Sequence, residues 1–188
     1  METIRVLLFV ILSIGSIDFS FAGPLCSLGP HNHKPSNDQN ATQVAHETMG
    51  HVHQYLCGNF GCPQYRLFQN TTISNAMASR DHTGNTIRYN PYFMNQTVQN
   101  YGSLAATGIL AHELGHIIDF YKNPNNIPSA QREATADRYA GCAFALEGHP
   151  ESDLMGLAHS LQAMGISPGY PTPSQRVQLL RSGYNECK

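Results

Sequence analysis

The chain has 188 residues, 13% of them charged, with 16 Gly, 11 Pro, no Trp and a formal net charge of −2 at pH 7. That length suits one domain able to bury a sizeable core. The small net charge supplies no electrostatic drive towards nucleic acid or an anionic membrane surface, so neither is expected as a partner.

Residues 1–22 read as a signal peptide, with Arg5 in the n-region, an apolar run from Val6 to Ile14, and Ser20-Phe21-Ala22 as a small-x-small cleavage site. The run is shorter than the roughly 20 apolar residues a spanning helix needs. Cleavage after Ala22, export to the periplasm or extracellular space, and no integral membrane segment afterwards are the expectations. All five cysteines (Cys26, Cys57, Cys62, Cys142, Cys187) survive that cut into an oxidising compartment. Their connectivity is not readable and one is left over. Cys57 with Cys62, across a Gly-Asn-Phe-Gly turn, and Cys142 with Cys187 are the pairings their positions suggest. No C-x-x-C pair occurs, which argues against a zinc knuckle.

Residues 23–40, mostly Pro, Asn, Ser, His and Gly, read as an irregular leader ahead of a domain over 41–188. From Thr42 to Leu56, Val44, Thr48, Val52 and Tyr55/Leu56 recur at helical spacing. Residues 65–68, 75–78 and 86–89 look like short strands, with a turn over 81–85 between the last two, so a small sheet is expected. After Pro91 the chain turns helical again. The segment from Ser103 to Tyr121 carries apolar residues around most of its circumference and should be a buried helix. A Pro- and Asn-rich loop over 122–128 stops it, and Ser129 reads as the N-cap of a helix to about Leu146. Pro150 opens another helix, striped by Leu154, Leu157, Leu161 and Met164 before Gly165. Thr172, Pro173 and Gln175 make a capping box for the last.

His112-Glu113-Leu114-Gly115-His116 sits in the middle of the buried helix. Two His four residues apart lie about 40° apart around the axis and roughly 6 Å along it, so both imidazoles can converge on one ion. Glu113, about 100° from His112, flanks that ion and can take a proton from an attacking water and pass it to the leaving amine. A helix this apolar would otherwise bury three polar side chains without compensation. For the third ligand, the position six residues past His116 is Lys122 with no Gly between, which excludes the metzincin pattern. Downstream, Glu133 and Asp137 are four apart on one face of the next helix. Glu133 would complete a His₂Glu site with a fourth position open, and Asp137 would accept a hydrogen bond from the far nitrogen of a ligand His.

The run His112-Glu113-Leu114-Gly115-His116 followed by Glu133-x-x-Ala136-Asp137-Arg138 resembles the paired motif of the gluzincin metallopeptidases related to HtpX and the CaaX-prenyl endopeptidases, especially their short secreted forms. The resemblance covers roughly residues 75–181, with Asn75-Ala76-Met77-Ala78 in the place of the family's edge strand. It implies a minimal gluzincin of α+β class, mostly helical, with a small sheet packed on the His-Glu-x-x-His helix and a following Glu-ligand helix. It also implies one Zn²⁺ and an edge strand that binds an extended polypeptide substrate. Two departures are visible. The membrane-spanning helices of the integral relatives are missing, and Tyr170 stands where the family often carries a His, six residues before Arg176. A phenol there can donate a hydrogen bond to an oxyanion; a surface Tyr in a Pro-rich loop is the other reading.

Further candidates are weaker. His46 and His53 could share a helix face near His31 and His33, but solvated histidines are the commoner case. Asn40, Asn70 and Asn95 stand in glycosylation sequons, which matter only in a host that glycosylates exported chains. The expectation is therefore a monomeric zinc-dependent endopeptidase acting on proteins outside the cytoplasm. The alternative is a proteolytically silent zinc protein serving as chaperone or assembly factor for envelope polypeptides.

Overall fold

In this mostly helical α+β fold the helix Ser103–Lys122 lies under a small mixed sheet and among the other helices. The computed structural model describes residues 25–27, 33–125, 128–163 and 170–188. The signal peptide, the cut after Ala22, His31, Met164 and Gly165 lie outside them. In chain order the elements are β1 (Leu25–Ser27), β2 (Gln39–Asn40), α1 (Gln43–Phe60), β3 (Tyr65–Gln69), β4 (Ala76–Asp81), β5 (Gly84–Tyr89), α2 (Pro91–Tyr101), α3 (Ser103–Lys122), α4 (Ser129–Leu146), α5 (Leu154–Ala163) and α6 (Pro173–Cys187).

Local chemistry explains most boundaries. The Thr42 hydroxyl accepts the Ala45 N–H at 3.2 Å and starts α1. Its buried face is Ala45, Met49, Val52 and Leu56. Val44, expected in that stripe, is 71% exposed, so the face is turned one residue from the expected one. Asn90 caps α2 through the N–H groups of Tyr92 and Phe93, and the capping box at Thr172 and Gln175 opens α6 as expected. Ser129 is not an N-cap. It is the first residue of α4, the cap position is Pro128, and no side chain caps that end.

The sheet order is β1-β4-β5-β3-β2, with β4 and β5 a hairpin and β3 parallel to β5. Ala76, Ala78, Ile87, Tyr89 and Leu67 belong to the main core on one face. On the other face Ser79, Thr86 and Arg88 are buried. Arg88 there donates to both Asp38 oxygens through Nε, at 3.0 and 2.9 Å, and to Ser79 Oγ at 3.0 Å. Burial alone would raise the Asp38 pKa, but hydrogen bonds from Arg88 and Asn70 and the Arg88 charge outweigh it and hold the carboxyl low. The leader is accordingly not irregular throughout: it forms a 3-10 turn at Pro35–Asn37 and contributes β2. Asn70 is 1% exposed and donates to Asp38 Oδ1 at 2.6 Å, which closes its sequon once the chain has folded.

The expected edge strand needs a correction. Asn75 precedes β4, and β4 is flanked on both sides, by β5 and by β1, which pairs Leu25 with Ser79, Cys26 with Ala78 and Ser27 with Met77. The leader supplied a strand that no alternation in its own residues announced.

Every residue of α3 from Gly108 to Phe120 is buried, and the helix contacts α1, α2, α4, α5 and β4. Gly115 permits the α4 crossing: a Cβ there would stand 2.9 Å from Tyr139 Cβ and 3.0 Å from Ala136 Cα. Gly141 plays the same part between α4 and α6, where a Cβ would run into the Leu180 carbonyl. The Cys142–Cys187 disulfide ties those two helices, and Cys57–Cys62 closes the end of α1, both as the positions suggested. Among the described residues no helix is long and apolar enough to cross a membrane.

Candidate metal centre

His112 and His116 leave α3 on adjacent turns, and α4 crosses them at Gly115, so Glu133 enters between the two rings. His112 Nε2 lies 3.4 Å from Glu133 Oε2, His116 Nε2 lies 3.3 Å from Glu133 Oε1, and the two Nε2 atoms are 3.1 Å apart. A tetrahedral ion with bonds of about 2.0–2.1 Å has ligand–ligand edges of about 3.3–3.4 Å. Both imidazole-to-carboxylate separations match those edges, each to a different Glu133 oxygen, and the gap between the two imidazole nitrogens is slightly shorter. All three residues are 0% exposed.

The remaining bonding capacity of these groups argues the same way. His112 Nδ1 lies 2.9 Å from Asp137 Oδ1, which favours a proton on Nδ1 and a lone pair on Nε2. That lone pair faces a carboxylate oxygen, which is repulsive unless a cation or proton lies between. Glu133 Oε1 is buried without a hydrogen-bond partner, and the fully buried Glu113 carboxylate has no side-chain partner, only the Ala78 backbone against it. An unpaired buried acceptor is costly in a folded protein, and a cation at the triad would satisfy Glu133 Oε1 directly and offset the nearby Glu113 charge. The residues fit a metal.

Arg176 was the part the sequence showed least. Its Nη2 donates to Asp137 Oδ1 at 2.7 Å and to Glu133 Oε2 at 3.4 Å, so α6 braces both the ligand and the carboxylate behind the other ligand. Only its place six residues after Tyr170 pointed to it. Tyr170 itself is half-buried and lines a cavity of about 650 Å³ with Ala130, Ala134, Gln175 and Leu179. A second brace sits one turn past His116. Asp119 Oδ2 accepts from Arg132 Nη1 at 2.5 Å, and Arg132 Nη2 donates to the Asn125 carbonyl at 2.7 Å, which latches the loop and aims its neighbour Glu133. Replacing Arg176 by Gln is expected to lower metal affinity about 10–100-fold, as loss of such an outer partner does. Competition with a metal-buffering chelator measures it.

Burial would lower the His112 pKa, but hydrogen bonds and charges from Asp137 and Glu133 outweigh it and raise it to about 10. Burial, with the Glu133 charge, pushes Glu113 up to about 8. Burial would also raise Glu133, yet the two imidazoles hold it well below the usual carboxylate range. At pH 7 a proton thus sits on His112 until a metal displaces it, and much of the Glu113 population gives one up as the dication arrives. Metal affinity should rise with pH up to about 10, and more than one proton should be released per ion bound at pH 7. Calorimetry in buffers of different ionisation enthalpy reads this; no proton release would contradict the arrangement.

His53, Cys57 and Cys62 also cluster, but both sulfurs are in the disulfide and His53 Nδ1 contacts the Tyr65 hydroxyl at 3.2 Å. His46 and His53 are exposed on α1, as solvated histidines are. Comparison with protein-family models, curated proteins and solved structures gives no match, so the site rests on its geometry.

Proposed function

We propose that this chain is a zinc-dependent endopeptidase of gluzincin type, acting on polypeptides outside the cytoplasm. The observation that carries the proposal is the buried His112, His116 and Glu133 triad, its facing nitrogens and oxygens 3.1–3.4 Å apart, with the Glu113 carboxylate, free of side-chain partners, beside it. Imidazole and carboxylate ligands with a fourth position open match catalytic rather than structural zinc. Zinc held there supplies Lewis acidity and lowers the pKa of a coordinated water to near 7.

The chain's own residues do the rest. Glu113 has no side-chain hydrogen-bond partner, so its carboxylate can take the water's proton and deliver it to the leaving nitrogen. Positive charge at the triad draws its pKa down from the raised value towards the range of a working base. Asp137 and Arg176 hold the His112 tautomer and the Glu133 rotamer, so the ligands do not reorganise during the reaction. The disulfide from α4 to α6 fits an oxidising compartment, the setting the signal-like segment suggests.

One observation favours the silent zinc protein instead: the four side chains of the centre are completely buried. The buried Glu113 weighs against it, because a purely structural site has no use for a second buried carboxylate. Chelator-sensitive cleavage of a peptide library by the purified chain tests the proposal. No cleavage by zinc-loaded protein under any activation would favour the binder.

A further inference from the structure

A hydrolase of polypeptides must admit a chain to its centre, yet His112, Glu113, His116 and Glu133 are each 0% exposed. Something in this arrangement therefore closes the site. The Ala78 backbone lies against the Glu113 carboxylate, which makes β4 the strand beside the reacting centre. Directly opposite Ala78 is Cys26, in the middle of β1. That short strand contacts α4 as well as β4, so it spans from the strand beside Glu113 to the helix that carries Glu133. Its backbone runs antiparallel to β4 and takes up the bonding groups with which a sheet edge captures an extended peptide.

We propose that Leu25–Ser27 is an autoinhibitory strand, seated on β4 in the place of a polypeptide substrate and holding the centre closed. The proposal rests on the peptidase reading of the site. A three-residue pairing is weak by itself and holds because it is tethered. The tether supplies an effective concentration in about the millimolar range, which is lost when the connection is cut. The chain after β1 is itself pinned to the sheet's far face by Asp38 on Arg88, so β1 can leave without disturbing that anchor.

The test inserts a site-specific protease sequence between Ser27 and His33 of the full chain and compares the protein before and after cutting. Zinc content should stay constant while chelator-sensitive peptide cleavage rises at least about tenfold, and a synthetic peptide of residues 23–30 should reverse the gain competitively. Equal rates before and after cutting, with cleavage detectable in both, overturn the proposal. Hydrogen exchange over Ala76–Ser79 separates its failure from that of the peptidase reading. If neither form cleaves anything but the β4 amides lose protection on cutting, the strand is displaceable and only the peptidase reading fails; unchanged protection overturns the strand. Should the insertion impair folding, Cys26→Pro and Ser27→Pro in the uncut chain replace it. Alternate residues of an antiparallel strand face its partner with their N–H groups. One of the two should therefore raise the rate, and no effect from either counts against the proposal.

Discussion

Glu113→Gln is expected to keep about one zinc per chain and to lose roughly 10²–10⁴-fold in peptide hydrolysis, the range that general acid–base catalysis contributes. The change is nearly isosteric, no side chain hydrogen-bonds to Glu113, and a Gln oxygen can still accept from the Ala78 backbone. The fold should therefore tolerate it and even gain, because burial disfavours the carboxylate and raises its pKa to about 8. Parallel zinc analysis, thermal unfolding and turnover, measured on protein cut after β1, check the three parts together. Retained turnover within about tenfold would mean that another group takes the proton.

The second large effect is on the metal and the fold at once. Glu133→Ala removes one of three ligands and, with it, a carboxylate on which Arg176 and both imidazoles converge. Breaking a buried charge cluster by deleting one partner costs about 3–5 kcal/mol. That is a large share of the roughly 5–15 kcal/mol by which a domain is stable. Zinc binding should be lost and the melting temperature should fall. The Cys142–Cys187 link, which closes the α4–α6 pair, should keep the variant foldable for the measurement. Full zinc occupancy in Glu133→Ala would remove it from the ligand set.

What could be read from the chain in advance follows from the range of the interactions. The His-Glu-x-x-His spacing, the burial of α3 and the α6 capping box are set within a few residues, so the periodicity and the cap residues sufficed. Asp137 behind His112 followed from a four-residue spacing on one helix. The strands in the leader did not announce themselves, because β2 is held by Asp38 reaching Arg88, 50 residues on, and β1 by backbone pairing with β4. The missing edge on β4 followed from the same omission. Arg176 was equally hidden: its partners are 43 and 39 residues upstream, and an Arg in the first turns of an amphipathic helix looks solvated until α6 is packed. Asp119 and Arg132 illustrate the intermediate case, lying 13 residues apart across a loop whose Pro and Asn content marked only its position.

One zinc ion should sit between His112, His116 and Glu133, and X-ray absorption at the zinc edge on the purified chain shows whether it does. The expected spectrum shows about one zinc per chain with two imidazole nitrogens and carboxylate oxygen at about 2.0–2.1 Å and no sulfur in the shell contributed by the disulfide-bonded cysteines. His112→Ala should abolish the signal. Absence of zinc from protein prepared without chelator and offered the metal, or a spectrum unchanged in His112→Ala, would contradict this zinc site.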